Sequence, residues 1–91
     1  MNRPRDIEVE LFGLPRQAAG VDRAAAAGAD LGAVVADLAR RFPGLAAACF
    51  ADGRLRPGCL ACVNGGRFVT DPATPLAPGD RLLLLSADVG G

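Results

Sequence analysis

The stretch that decides the fold is LLLLSADVGG, residues 82–91. Four consecutive leucines are typical of a buried central strand, because both of its faces are apolar. A short polar link then leads to two glycines. Glycine has no Cβ, so a Gly-Gly tip can pass through a narrow channel as extended backbone. The pattern therefore predicts a core strand that carries a slender tail ending in the carboxylate of Gly91.

The rest of the composition indicates one small domain. The chain has 91 residues, of which 51% are hydrophobic, and this is enough for one modest core. No apolar run reaches the 18 residues of a transmembrane helix. The first six residues are charged and lack the apolar segment of a secretory signal. We therefore expect a cytoplasmic protein.

The charges exclude several classes of function. Ten arginines balance ten acidic residues, with no basic stripe for nucleic acid and no basic amphipathic helix for a membrane surface. The chain contains no Lys, His, Tyr or Trp. Without His, the most common general base is missing. These absences favour a substrate or carrier over an enzyme.

The first half of the chain predicts two strands and one helix. Residues 7–12 alternate apolar and polar side chains, which is typical of a strand with one buried face. Residues 16–20 indicate a loop, and residues 21–27 a second strand. Asp30 is a good N-cap for a helix over residues 31–42, whose apolar side chains form one stripe. Pro43-Gly44 is expected to end this helix.

The second half predicts three more strands. Residues 45–50 favour a short helical turn, and residues 59–63 a strand. Asn64-Gly65 between apolar runs indicates a hairpin that returns through residues 67–69. The last strand covers residues 81–86.

The order of these elements predicts an α+β fold of β-grasp type. We expect a mixed sheet of four to five strands on one main helix, with residues 1–91 forming a single domain and 86–91 a flexible C-terminal tail. On the open face of the sheet, Leu83 and Leu85 together with Phe12 suggest a partner interface. The alternative is that loops cover both faces of the sheet.

Four motifs in this order resemble the MoaD/ThiS family of ubiquitin-like sulfur carriers, which includes the small subunit of molybdopterin synthase. They are Phe42-Pro43-Gly44-Leu45, Cys62-Val63-Asn64-Gly65, the segment 75–80 (PLAPGD) and the terminal Gly90-Gly91. No single motif is specific. Their order over residues 7–91, with the double glycine last, is quite specific.

The resemblance implies a chemistry performed on Gly91 by partners. An E1-like adenylyltransferase (MoeB- or ThiF-like) would adenylate the carboxylate with ATP and magnesium, and a sulfur donor enzyme would then convert it to a thiocarboxylate. A sulfur-accepting synthase, MoaE-like or other, would consume the sulfur. The carrier itself would bind no cofactor. Gly90, Val89 and Asp88 would thread the partner's site; the charge of Asp88, and the absence of the prolines common in MoaD tails, leave the acceptor open.

The three cysteines do not form a recognisable metal site. Zinc and plant-type iron–sulfur sites both need four ligands, and the chain has three cysteines and no His. If residues 59–63 form a strand, Cys59 and Cys62 point to opposite faces. We expect all three, including Cys49, to be buried as small hydrophobic residues and expect no metal.

Two kinds of function remain open. The first is a sulfur carrier acting through Gly91. The second is a ubiquitin-like protein modifier or a non-catalytic β-grasp interaction module. The sequence does not name the pathway: molybdopterin, thiazole, cysteine or a sulfur-containing secondary metabolite would all use the same tail.

Overall fold

The structure, a computed structural model, describes residues 6–87 as a mixed sheet with helices on one side. In chain order the elements are β1 (Ile7–Leu11), α1 (Leu14–Ala19), β2 (Arg23–Ala26), α2 (Leu31–Arg41), α3 (Pro43–Cys49), β3 (Phe50–Ala51), β4 (Arg54–Leu55), β5 (Cys59–Val63), β6 (Arg67–Val69) and β7 (Arg81–Ser86). This arrangement confirms the predicted α+β class.

The last strand lies at the centre of the sheet, as its four leucines predict. The five-stranded sheet has the order β2-β1-β7-β5-β6, with β7 parallel to β1 and antiparallel to β5. The other two pairings, β1 with β2 and β5 with β6, are antiparallel. Strands β3 and β4 form a separate two-stranded ribbon.

The core lies between one face of this sheet and the helices. Asp30 caps α2 as predicted, its Oδ1 accepting a hydrogen bond of 2.8 Å from the Ala33 N–H. The predicted stripe of α2 is buried. Four α2 residues belong to the hydrophobic core cluster: Leu31, Val34, Val35 and Leu38. The same cluster includes the inward side chains of the three inner strands β1, β5 and β7, which are Ile7, Val9, Leu11, Ala61, Val63, Leu82 and Leu84.

The predicted loop over residues 16–20 is wrong, because residues 16–19 belong to helix α1 and Gly20 is its C-cap. Pro15 lies in the first turn, where its fixed φ favours a helix and its missing N–H costs no hydrogen bond. Gly20 ends the helix in the left-handed conformation, with its N–H donating to the Arg16 carbonyl at 2.9 Å. Burial of Pro15 further stabilises this short segment.

The proline at position 43 ends one helix and begins the next. Helix α2 stops at Arg41, close to the predicted end, and Pro43 then occupies the first turn of α3. The predicted helical turn over residues 45–50 is therefore confirmed, although it starts earlier, at Pro43. Its far end leads directly into β3.

The described chain ends just beyond β7. Ser86, predicted as the start of a flexible tail, is the last residue of this strand, and the Ala87 N–H donates to the Gly58 carbonyl at 2.7 Å. The rest of the predicted tail, residues 88–91, lies outside the described range. Among residues 6–87 there is no helix with the length and hydropathy needed to cross a membrane.

Candidate functional site

The base of the predicted tail is held by strands on both sides. On one side the Phe12 N–H donates to the Leu84 carbonyl at 2.9 Å, which extends the β1–β7 ladder. On the other side Ser86 lies opposite Cys59 of β5. The backbone is thus hydrogen-bonded to neighbouring segments as far as Ala87, the last residue before the undescribed part of the tail.

Four of the predicted site residues cannot be placed. Gly91, Gly90, Val89 and Asp88 lie beyond the described part of the chain. The other three, Phe12, Leu83 and Leu85, are brought together on the sheet face opposite the helices. Leu83 and Leu85 are half-buried and alternate with fully buried neighbours, and Phe12 is 50% exposed.

Three further residues extend this surface across β5 and β6. Leu60 lies opposite Leu85, Cys62 lies opposite Leu83, and Phe68 lies opposite Cys62. Side chains opposite each other in a ladder share a face, so one apolar band crosses three adjacent strands. We call it the apolar face: Phe12, Leu60, Cys62, Phe68, Leu83 and Leu85.

The apolar face is open at its two ends. Phe12 and Phe68 are 50% and 63% exposed, so the described part of the chain does not cover them. Within residues 6–87, no loop covers the sheet at these two positions, in contrast to the alternative in which loops cover both faces. Sequence reasoning missed Leu60 and Phe68. Their alternation within short strands was visible, but which face they share depends on the strand register.

A shallow groove of about 470 Å³ lies on this surface. Its walls combine apolar side chains with polar ones: Glu10, Phe12, Cys62, Asn64, Arg81 and Leu83 are among them. At its border the Arg81 guanidinium is 3.5 Å from a Glu8 oxygen and 3.9 Å from a Glu10 oxygen. Exposed ion pairs of this kind contribute little to stability, so these charges remain available to a partner. The groove suits an apolar side chain with a polar neighbour.

Two turns are joined at the edge of the groove. Asn64 Nδ2 donates to Asp80 Oδ1 at 3.1 Å, and the Arg81 N–H donates to Asn64 Oδ1 at 2.9 Å. Asp80 Oδ2 also accepts from the Ala77 N–H at 2.8 Å. These hydrogen bonds, the one from Ala77 first and then the one from Asn64, lower the pKa of Asp80. The junction links two of the quoted motifs and sets the start of β7.

The Asn64-Gly65 hairpin has the predicted geometry. Both residues have positive φ, 52° and 72°, and the Gly66 N–H donates to the Val63 carbonyl at 3.1 Å. Positive φ at both central residues defines a type I′ turn, which Asn and Gly favour. Sequence reasoning did not find that this Asn also holds Asp80, which lies 16 residues further along the chain.

The cysteines lie as the strand pattern predicts. Cys59 belongs to the core cluster, whereas Cys62 lies on the opposite, apolar face. All three thiols, including that of Cys49, are buried. Over residues 6–87, no three His, Cys, Asp or Glu side chains are grouped so that they could hold a metal ion.

The amino-acid sequence matches the profile of one known family. The profile of the ThiS family matches residues 9–91, nearly the whole chain and including its last residue. The chain belongs to the ThiS family. The family resemblance of its motifs is thereby confirmed, and ThiS-family chains of this ubiquitin-like kind are carriers that are generally not catalytic themselves.

Solved structures resemble this ThiS-family chain over almost their full length. The crystal structure of SAMP1 from Haloferax volcanii is 26% identical, with a TM-score of 0.81 over 94% of this chain and 98% of that one. CysO from Mycobacterium tuberculosis is 27% identical, with a TM-score of 0.76 over 90% and 99%. A comparison with curated protein sequences finds no match.

A third similar structure is the putative molybdopterin converting factor, subunit 1, from Pyrococcus furiosus. It is 23% identical, with a TM-score of 0.73 over 91% of this chain and 98% of that one. At this identity the likeness supports the fold alone. The β-grasp, ubiquitin-like fold of this ThiS-family chain is thus supported by several structures.

Proposed function

We propose that this chain is a sulfur carrier. Its Gly91 carboxylate is adenylated by an E1-like enzyme of the MoeB or ThiF kind and converted to a thiocarboxylate that donates sulfur in biosynthesis. The observation that carries this proposal is the ThiS-family match, which extends to Gly91. The position of β7 supports it, because the tail continues from a central strand of the sheet.

The chemistry requires little from the carrier. A carboxylate becomes an acyl donor when its oxygen attacks the α-phosphorus of ATP, releasing pyrophosphate and forming an acyl-adenylate. Sulfide, HS⁻, supplied by the donor enzyme then attacks the carbonyl carbon and displaces AMP, which leaves the thiocarboxylate. The activating enzyme holds ATP and magnesium. The chain, which has no His or Lys, need only present the carboxylate.

The tail must be long enough to bring the Gly91 carboxylate into the active site of the enzyme. Four residues follow Ala87, and an extended chain of that length spans about 13 Å at ~3.3 Å per residue. Because the Ala87 N–H is hydrogen-bonded to the Gly58 carbonyl, docking of the domain also positions the start of the tail. The enzyme must accommodate Gly90, Val89 and the charge of Asp88 along that path.

The apolar face is the surface that we assign to docking. Phe12, Leu83 and Leu85 lie on it beside the end of β7, so an enzyme that binds this face has its active site within reach of the tail. The groove accepts an apolar side chain of the enzyme. The charged Glu10 and Arg81 at its border would help to orient the two proteins.

The deciding experiment is intact mass spectrometry after co-expression with an E1-like enzyme and a sulfur donor. We expect the mass change of one oxygen replaced by sulfur, together with ATP consumption. Deletion of Gly91 is expected to abolish the mass change. If active enzymes of both the MoeB and the ThiF kind leave the chain unmodified, the carrier function is wrong.

For the acceptor, we propose a MoaE-like synthase, with this chain as its small subunit. The four motifs resemble the MoaD/ThiS family as a whole, and at 91 residues the chain is nearer in length to MoaD than to a typical ThiS. Co-purification followed by mass spectrometry tests this choice. Recovery of an unrelated sulfur-accepting enzyme in place of a MoaE-like protein would contradict the acceptor while leaving the carrier chemistry intact.

Protein modification is the second candidate function. Its support is the likeness to SAMP1, since another Haloferax volcanii structure of that protein is described as small archaeal modifier protein 1. A modifier would form an amide between Gly91 and an amine of a target protein. Adducts larger than the free chain, stable to thiols, would favour this function over sulfur transfer.

A further inference from the structure

Two buried thiols lie close to the base of the tail and have no part in the proposed sulfur transfer. Cys49 is the last residue of α3, and Cys59 is the first residue of β5. Their exposed fractions are 1% and 8%, and both side chains belong to the core cluster. The two residues are ten positions apart, so their approach depends on how the intervening chain folds.

The backbone of Arg56 brings them together. Its N–H donates to the Cys49 carbonyl at 2.9 Å, which continues the β3–β4 ribbon by one residue. Its carbonyl accepts from the Cys59 N–H at 3.0 Å across Pro57-Gly58. Gly58 has a φ of 93°, and proline followed by such a glycine forms a type II turn. The backbones of Cys49 and Cys59 are therefore both hydrogen-bonded to the backbone of Arg56.

The side chains complete this approach. Both thiols are buried in the same core cluster, on the helix side of the sheet. The Arg56 Nε donates to the Phe50 carbonyl at 3.1 Å, which holds the intervening ribbon in place. Cys62, by contrast, lies on the other face of the sheet. The pairing of Cys49 with Cys59 is thus selective.

We propose that Cys49 and Cys59 are a redox-active pair that forms a reversible disulfide in the folded protein. The oxidant is a low-molecular-weight disulfide, RSSR. The Cys59 thiolate attacks one sulfur, the S–S bond breaks, and one RSH leaves after taking up a proton. The Cys49 thiolate then attacks Cys59 Sγ and releases the second RSH. The protein loses two electrons and two protons, and RSSR is reduced to two RSH.

The environment makes this exchange slow. Burial, with the neighbouring Cys59 thiol adding to it, raises the pKa of the Cys49 thiol to about 12. The thiolate is the reactive form, so the more exposed Cys59 makes the first attack and Cys49 resolves it. Gly58, whose carbonyl accepts from the Ala87 N–H, lies between the ribbon and the tail. The disulfide would therefore cross-link α3 to β5 beside the point where the tail begins.

The test uses a Cys62→Ser variant, which removes the thiol on the other face. The folded protein is incubated with glutathione disulfide and its intact mass is measured. We expect one species that has lost two hydrogens. Trypsin does not cleave between Arg56 and Pro57, so the reaction should join the peptides 42–54 and 55–67. Reduction with a thiol should restore the starting mass.

A Cys59→Ser variant is the matched control. It keeps Cys49 and Cys62, which lie on opposite faces, so it should form no intramolecular disulfide. If folded Cys62→Ser stays reduced or gains only glutathione, while the urea-unfolded chain forms the cross-link, the pairing is wrong. If Cys62→Ser does not fold, fragment-ion spectra of the oxidised natural chain decide between Cys59 and Cys62. The same reaction is repeated on a chain that lacks Gly91. The disulfide should still form, because it does not need the carboxylate on which the carrier function depends.

Discussion

Gly44 lies where two of the short helices come closest. A Cβ built on Gly44 would be 2.5 Å from the Ala18 carbonyl oxygen, which is a backbone atom that cannot move alone. Helix α1 packs on α3 at this position. The glycine thus allows a close approach that any side chain would prevent.

We predict that Gly44→Ala destabilises the fold. Separation of the two helices should cost about 1–3 kcal/mol, which exceeds the ~1 kcal/mol by which alanine favours a helix over glycine. Urea unfolding measures the change. Gly66→Ala is the control, because a Cβ at Gly66 meets no atom within 4 Å. Equal stability of the two variants would show that α1 and α3 adjust without cost.

Asp37 joins α2 to the edge strand β2. Its Oδ2 accepts from the Ala27 N–H at 3.0 Å and lies 3.2 Å from an Arg41 nitrogen, and Arg40 binds Oδ1. Burial raises the pKa of Asp37, but the Ala27 and Arg40 hydrogen bonds and the nearby arginine charges outweigh it, so the pKa is lowered. The Arg41 side chain also donates to the Ala25 carbonyl.

Because the pKa is lower in the folded state, ionised Asp37 stabilises the protein at pH above its unfolded value. This contribution is lost as the pH falls through the folded value. We predict that Asp37→Asn lowers the free energy of unfolding by about 1 kcal/mol at pH 7. The difference from the natural chain should shrink as the pH is lowered from about 5 toward 3.

Unfolding curves at several pH values test this prediction. Asp22→Asn serves as the control, because Asp22 is exposed. If the free energy of unfolding of Asp37→Asn stays below that of the natural chain by the same amount down to pH 3, the destabilisation comes from packing and not from the charge of Asp37.

At the level of elements, the start of the central strand depends on a contact between two turns. Asn64 belongs to the β5–β6 hairpin, and Asp80 precedes β7. Apart from β6, the chain between them is irregular, so the side-chain hydrogen bonds help to set where β7 begins. Local propensity predicts each turn but not the hydrogen bond between Asn64 and Asp80 that joins them.

A double-mutant cycle measures this junction. Asn64→Gly keeps a residue that tolerates positive φ, and Asp80→Ala removes the acceptor. We predict a coupling energy of roughly 0.5–1.5 kcal/mol between the two positions, obtained from urea unfolding of both single variants and the double variant. Strictly additive effects would mean that the bond does not contribute to stability.

The helices show how far local patterns extend. The stripe over residues 31–42 predicts α2 to within one residue, because capping and periodicity act within the segment. Helix α1 has only six residues, too few for a periodic signal. Its stability comes from packing on α3, which a local pattern does not contain.

For the molecule as a whole, we expect the apolar face to contribute more to partner binding than to the stability of the fold. Its side chains point away from the core cluster, so a polar replacement there should leave the fold largely intact. The same replacement in a docked complex would bury an unpaired polar group, which is costly.

We predict that Leu83→Gln changes the free energy of unfolding by less than about 1 kcal/mol, as at other solvent-facing sheet positions. Its affinity for the activating enzyme should fall by roughly tenfold or more, equivalent to about 1.4 kcal/mol. Calorimetric titration with that enzyme measures the change. Val21→Gln, outside the apolar face, should bind like the natural chain. Unchanged binding by Leu83→Gln would exclude this face as the docking surface.

The sequence alone determined the class of fold, the central strand and most element positions, because alternation, helical periodicity and turn residues act over a few neighbours. It also pointed to residues 88–91 as the reacting tail, a role that stays a prediction. Only the tertiary structure decided which distant residues meet. The apolar face across three strands, the Asn64–Asp80 junction and the Cys49–Cys59 pair all depend on register and on turns, which bring together residues that no local pattern relates. The four leucines of β7 predicted a buried strand; the helices packed on one side of the sheet decided which of its leucines are fully buried and which are only half-buried.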